Sequence, residues 1–254
     1  MTFTDANNCT LRDSIEIINV NPEIQGFVSI LQNVSCFNGC DGIAQLSSTG
    51  GVLQHNYFWD NGQTYFGSGP DTAYNLCYGG HDIIIEDMEG CRKIVEFTIN
   101  QPTEIFAQAT MVQPVQCFGF DDGMAYGTAT GGTPPYTYVW DSINGQSGQN
   151  AINLTPGVHV LYVTDSKGCT AQDTVVITEP AELTVSIDDT MTVYSYCSGT
   201  NSGQLCAVAS GGTTPYNYVW NDPLGQQGSC AFNLQADFYT CLLYTSDAAD
   251  DQLG

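Results

Sequence analysis

A shift of about 80 residues lays this chain over itself, and that internal repeat restricts its fold more than any single motif. Cys36, Cys117 and Cys197 superpose, then Gly50-Gly51, Gly131-Gly132 and Gly211-Gly212, then Trp59, Trp140 and Trp220. Each of these sets steps by 81 and then 80 positions. Leu76, Leu154 and Leu234 recur further along the unit. Three residues after Asp87 comes Gly90-Cys91, and three after Asp165 comes Gly168-Cys169; Asp5 and Asn8-Cys9 repeat the feature earlier in the chain. Units close on Ile-x-x-Pro-x-Glu, at Ile99 to Glu104 and Ile177 to Glu182, with a looser form ending in Pro22-Glu23. Pro22, Pro102 and Pro180 therefore mark linkers. Solenoid repeats run to roughly 20–50 residues and borrow their core from neighbours, so a longer unit is expected to hold a core of its own. The expected organisation is beads on a string. Residues 1–21 read as the C-terminal end of a truncated preceding repeat, 22–101 and 102–180 as complete repeats, 181–240 as an incomplete repeat and 241–254 as a non-native tail.

Within a unit, strand follows strand. Tyr136, Tyr138 and Trp140 alternate with Thr137 and Val139, and Tyr57 with Trp59 and Tyr216, Tyr218 with Trp220 keep the same period of two, as a half-buried strand requires. Val158 to Thr164 and Asp82 to Glu86 read as a second central strand, with Thr174 to Thr178 and Ile94 to Ile99 returning beside it. Between them Asp-x-x-Gly-Cys reads as a tight hairpin whose Gly takes a positive φ. No window holds a helical period long enough to predict a helix. Short strands separated by Gly, Pro, Asn and Asp predict an all-β chain of tandem immunoglobulin-like β-sandwich domains. Trp59, Trp140 and Trp220, with Tyr138 and Tyr218, are the expected core, each contributing roughly 1.5–3 kcal/mol or more by burial.

Charge excludes some partners. Four Lys and Arg stand against 27 Asp and Glu, a net charge of −23. Phosphate backbones bind proteins largely through cations, so no nucleic acid partner is expected. No apolar run approaches the roughly 20 residues of a spanning helix, so no membrane insertion is expected. Eleven cysteines suit an oxidising, extracellular compartment better than a reducing cytosol. A unit of this size buries little more than about 60% of its unfolded surface, which favours a covalent brace. Joining the first cysteine of each unit to its own Gly-Cys gives Cys36 to Cys91 and Cys117 to Cys169; Cys40 with Cys77 and Cys206 with Cys230 are local pairs. Cys9, Cys197 and Cys241 are left over, the expected partner of Cys9 falling before residue 1 and that of Cys197 near residue 249 in a truncated unit. Sequence leaves the connectivity open. Zinc is the competing account, though no CxxC pair or Cys/His cluster occurs.

Asp41 and Asp122, each before Gly, and the turn acids Asp87 and Asp165 are candidate calcium ligands, since hard cations need several oxygens in one place. An Asp at a turn also satisfies its own backbone, and no loop packs three ligands into a short span, so no cofactor is expected, calcium being the alternative. His81 and His159 occupy equivalent positions, with Tyr239 in the third unit, and this swap points to a corner hydrogen bond. His55 has no partner visible in sequence. No GxSxG elbow, HExxH, phosphate loop or glycosidase pair occurs, so no catalytic residues are named and no enzyme is expected.

The string Cys117-Phe118-Gly119, Asp122-Gly123, Ala125, Gly131-Gly132-Thr133-Pro134-Pro135-Tyr136, Tyr138, Trp140, Leu154, Gly157, Val163-Thr164-Asp165, Gly168-Cys169, Val176 and Pro180 resembles the SprB-type repeat. Cys36-Phe37, Asp41-Gly42, Gly50-Gly51, Tyr57 and Trp59 are similar to a divergent copy, and Gly211-Gly212-Thr213, Pro215-Tyr216, Tyr218 and Trp220 to a third. The resemblance implies giant cell-surface adhesins of gliding Bacteroidetes, secreted by the type IX route. The third unit departs from the pattern, with Gly203-Gln204 in place of Asp-Gly, and residues 241–254 resemble translated sequencing-adapter read-through. The expected function is an extracellular structural and adhesive repeat region; the alternative is an accessory carbohydrate-binding region of a secreted hydrolase. The implied partners are a surface polysaccharide or protein ligand and the neighbouring repeats of the same chain.

Overall fold

The computed structural model describes residues 2–16, 18, 21–52, 54–67, 69–140, 145–195 and 199–245. The chain divides into two compact units, Met1–Ile105 with Gly131–Pro134 and Lys167–Cys169, and Phe106–Thr130 with Pro135–Ser166 and Thr170–Gly254. Every regular element among the described residues is a β-strand.

The first unit opens with a hairpin, β1 (Thr2–Thr4) against β2 (Thr10–Arg12). One sandwich follows, built from β3 (Gln25–Gln32), β4 (Gly42–Thr49), β5 (His55–Trp59), β6 (Thr64–Gly67), β7 (Asp71–Leu76), β8 (Gly79–Glu86) and β9 (Arg92–Ile99). Its sheets are ordered β3-β4-β7 and β6-β5-β8-β9, with antiparallel pairing throughout. This is the seven-strand immunoglobulin-like plan. Burial alternates along β4 and β5, so one face of each sheet turns inward. Leu46, Tyr57, Trp59, Ala73, Leu76, Ile83, Ile85 and Ile99 fill the space between them.

The second unit holds two further copies. In the first, β10 (Phe106–Gln113), β11 (Gly123–Thr130) and β13 (Asn150–Leu154) form one sheet. The other comprises β12 (Thr137–Trp140), β14 (Gly157–Thr164) and β15 (Thr170–Ile177). In the next, β16 (Thr184–Ile187), β17 (Gly203–Ser210) and β19 (Cys230–Leu234) face β18 (Tyr216–Trp220) and β20 (Cys241–Thr245). The same sequence positions are buried in each copy: Ala73, Ala151 and Ala231; Leu76, Leu154 and Leu234; Trp59, Trp140 and Trp220.

Two differences from the sequence reading concern the core. Tyr138 and Tyr218 are only half-buried, because on a strand at a sandwich edge the residue two before the tryptophan lies nearer the rim. Cys241–Thr245, read from the sequence as the start of a non-native tail, forms β20 on β18, with Trp220 opposite Cys241 as Trp140 is opposite Leu161. Its five residues are apolar enough to cover an otherwise open sheet edge. Burial pushes the Cys241 thiol above its ordinary pKa.

The Gly-Gly signature and the linker signature are one device. The amides of Gly51, Gly132 and Gly212 donate to the carbonyls of Pro22, Thr103 and Ala181 at 2.7, 2.9 and 2.7 Å. Gly50, Gly131 and Gly211 have φ of 81°, 72° and 76°, and a Cβ at any of them would run into the carbonyl oxygen of Glu23, Glu104 or Glu182. The turn can therefore receive the incoming linker only when its first residue has no side chain.

Candidate functional site

The repeated polar residues fall into two loops and a hairpin. Asp87 opens the turn between β8 and β9, and its carboxylate accepts the amides of Glu89 at 3.0 Å and Cys91 at 2.9 Å on Oδ1 and that of Val52 at 3.0 Å on Oδ2. Gly90 closes the turn with φ of 81°. Asp5 does the same for Asn7 and Cys9, at 3.0 and 2.8 Å, with Asn8 taking the positive φ of 64°. The Val52 amide is the main cause that holds the Asp87 carboxyl below its ordinary pKa; burial opposes it, while the Cys91 and Glu89 amides and the nearby His55 reinforce it.

This depression has a consequence for acid stability. A carboxyl whose folded pKa lies below the unfolded one stabilises the fold fully above the unfolded value, here 3.8, and that contribution is lost as pH falls through the lower folded value. Asp87→Asn should therefore lower stability at neutral pH and flatten the acid limb of urea midpoint against pH. A variant whose acid limb matches the parent's would show that Asp87 does not couple to folding.

The loop between β3 and β4 is closed by Asp41, whose Oδ1 accepts the Ser35 amide at 2.8 Å. The Ser35 side chain and amide, in that order, lower its pKa, with help from Gln32 and against burial. Asp122 closes the corresponding loop between β10 and β11, accepting the Gln116 amide at 3.0 Å. Asp165 is buried at the hairpin between β14 and β15. Asp87 thus spends both oxygens on backbone amides, Asp41 spends one on an amide and the other on the Gln32 side chain, and Asp122 spends Oδ1 on an amide. Among the described residues no three His, Cys, Asp or Glu side chains converge on a common point.

The cystines differ from the expected set. Cys40 is bonded to Cys77 and Cys206 to Cys230. Cys36 is bonded to Cys169, with Cα atoms 5.6 Å apart, and Cys91 and Cys117 are exposed thiols. The expected Cys36–Cys91 and Cys117–Cys169 bonds are corrected by strand length. Cys36 lies in a loop held to the far end of β9, where the Val34 amide donates to Asn100 and the Asn38 amide to the Gln101 side chain. Cys91 precedes the start of β9. An eight-residue strand separates its ends by about 26 Å, several times the separation of roughly 4.4–6.8 Å between the Cα atoms of a cystine. The same argument separates Cys117, whose loop is held to Thr178 and Glu179, from Cys169 at the start of β15. The Cys36–Cys169 bond closes 133 residues, a loop whose entropy is worth about 5 kcal/mol in the chain-entropy treatment. Cys197 lies outside the described residues.

The histidines find backbone partners. Nε2 of His81 donates to the Cys77 carbonyl at 2.7 Å, Nε2 of His159 to Thr155 at 2.9 Å, and the Tyr239 hydroxyl to Gln235 at 3.2 Å, each four residues back. His81 also meets Asp60 through Nδ1 at 2.8 Å. His55, for which sequence offered no partner, is buried between the Ser48 hydroxyl at 2.6 Å and the Gly50 carbonyl at 3.1 Å. Ser48 in turn meets the Tyr57 hydroxyl at 2.7 Å, so this group is a satisfied polar plug in the first sandwich.

A glutamine clamp was missed in the sequence. The carbonyls of Gln63, Gln146 and Gln226 accept the amides of Trp59, Trp140 and Trp220. Their side-chain amides pair with both backbone groups of Tyr74, Ile152 and Phe232, tying one sheet to the other. The steps from Trp to Gln are four, six and six residues, so the shift that superposes the tryptophans also superposes Gln146 and Gln226 and leaves only Gln63 out of step.

Comparison with known proteins agrees with the internal repeat. The SprB repeat family model matches residues 28–64, 109–145 and 194–225. No curated protein sequence matches the chain. Among solved structures, the C-terminal 282-residue fragment of intimin, in complex with the intimin-binding domain of the translocated intimin receptor, is similar at 15% identity with a TM-score of 0.32. That alignment covers 64% of this chain and 66% of the intimin chain. A tetra-tandem repeat from the extending region of a large adhesion protein is similar at 13% identity and a TM-score of 0.28, over 95% of this chain and 71% of that one.

Proposed function

We propose that this chain, which carries three SprB-type repeats, is part of the extracellular stalk of a large cell-surface adhesin, a non-catalytic array that carries a distal binding region away from the cell. One observation carries the reading. The single tryptophan of each repeat, the side chain best suited to stack on a sugar or grip a partner, is spent on its own core: Trp59, Trp140 and Trp220 are 3%, 0% and 1% exposed. The acids of the turns likewise serve the backbone. Cystines support an oxidising, extracellular setting, and a net charge of −23 keeps neighbouring copies apart. Any contact the repeats themselves make is weak and gains avidity from copy number. Passage through the type IX route and display on a gliding Bacteroidetes cell belong to the same proposal and rest on the family resemblance.

A polysaccharide array probed with the whole chain tests it. The expected result is no selective binding. Tight binding to one polysaccharide would replace the stalk with an accessory carbohydrate-binding region of a secreted hydrolase.

A further inference from the structure

The cystine between Cys36 and Cys169 leaves two exposed thiols that are its own counterparts. Cys117 occupies in its repeat the place that Cys36 occupies in the first, and Cys91 the place of Cys169. The resemblance extends to the loop itself. Asp41 holds the Ser35 amide and Asp122 the Gln116 amide, each six residues back. The carbonyls of Cys36 and Cys117 each accept a tight-turn amide, from Gly39 at 3.0 Å and from Phe120 at 3.1 Å. The loop that presents Cys36 to a hairpin thiol is thus built again around Cys117.

A second observation shows where the partner of Cys117 would come from. Cys117 and Phe118 line a cavity of about 300 Å³ together with Pro180, Leu183, Gly212 and Thr245. The registers Trp140 to Leu161 and Trp220 to Cys241 place Thr245 where Asp165 stands in the preceding repeat, four positions beyond the residue opposite tryptophan. Asp165 opens the hairpin whose last residue, Cys169, bonds to Cys36. Cys117 therefore shares a cavity with the residue from which the next repeat's hairpin would spring.

We propose that Cys117 is the acceptor of the hairpin cysteine of the following repeat and Cys91 the donor to the first-loop cysteine of a preceding one, so that cystines run from each repeat to the next. The partner of Cys117 is the thiol of an Asp-x-x-Gly-Cys hairpin. Two thiols join by losing two protons and two electrons, which pass to a small-molecule or protein disulfide that is reduced to two thiols. Bonds confined to single repeats would leave residues 92–116 as an unbridged path for tension. Bonds from repeat to repeat close overlapping loops. The 36-to-169 loop spans the linker at Pro102, and a loop from 117 to the following hairpin spans the linker at Pro180, so a pulled array cannot lengthen at its linkers. This goes beyond the stalk reading and does not depend on what the stalk displays.

The full chain carrying Thr245→Asp, Ala248→Gly and Ala249→Cys places Asp-x-x-Gly-Cys at 245–249 and tests the proposal. After oxidation in a glutathione redox buffer, nonreducing peptide mass mapping is expected to join position 249 to Cys117. Alkylation of Cys117 by iodoacetamide should fall at least about tenfold as its exposed thiol is consumed. A bond from position 249 to Cys197, or Cys117 alkylating as in the parent, overturns it. Should the variant fail to fold, mapping of the unsubstituted chain decides. Cys36 joined to Cys169 with Cys91 and Cys117 alkylated supports the proposal, and Cys36 joined to Cys91 with Cys117 joined to Cys169 overturns it.

Discussion

Replacing Trp140 with alanine should cost the second sandwich about 3–5 kcal/mol, a large share of the roughly 5–15 kcal/mol that a small domain holds in total. The ring is fully buried. Its Cζ2 lies 3.2 Å from where a Cβ on Gly127 would sit, so β11 is packed directly on it. The indole Nε1 also donates to the Gly148 carbonyl at 3.1 Å. Alanine removes the packing and the donor together, and a sandwich two sheets thick has no other side chain to move in. Trp140→Phe keeps most of the buried area and should cost about 1–2 kcal/mol, chiefly the lost hydrogen bond. Hydrogen exchange reads the result by segment: amides of β11, β12 and β14 should lose protection in Trp140→Ala, while those of β5 and β8 keep it. Undiminished protection in β12 and β14 would mean that the tryptophan does not seal the sandwich.

The second large effect is expected at Gly131. Here alanine meets two penalties, a left-handed backbone at φ of 72° and a Cβ driven into the Glu104 carbonyl oxygen. Gly119 separates them, since its φ is 77° but a Cβ there would meet nothing within 4 Å. Gly119→Ala should therefore show the backbone cost alone, about 1–2 kcal/mol. Gly131→Ala should cost at least about 3 kcal/mol and break the bond from the Gly132 amide to Thr103. Urea unfolding gives the stabilities, and limited proteolysis should find a new cut between Thr103 and Phe106 only in Gly131→Ala. Equal costs at the two glycines would remove the linker contact as the reason for the Gly-Gly signature.

The aromatic strand and the returning central pair of each repeat were legible because burial imposes a period of two, and that period survives in Tyr57 and Trp59 or Tyr136, Tyr138 and Trp140 whatever their neighbours; the order of strands in each sheet was not. The corner bonds of His81 and His159 were legible from their exchange with Tyr239, since the three side chains share one geometric task, a donor reaching four residues back. His55 was not. Its partners, Ser48 and Gly50, lie across a turn in which no residue advertises a polar core. The glutamine clamp was legible only as a recurrence of Gln146 and Gln226 at the repeat shift; Gln63 sits in a shorter turn, and nothing in the residue type tells a clamping glutamine from a surface one.

Sequence alone determined that one β-sandwich is copied along this chain, since a recurring set of aromatic, glycine and cysteine positions can be satisfied only by a recurring core and turn. Only the tertiary structure decided which sulfurs meet. Recurrence pairs each cysteine with others of its kind, but a strand of eight residues carries the two cysteines of one repeat to opposite ends of the sandwich. The partner close enough to bond with Cys36 belongs to the hairpin of the next repeat.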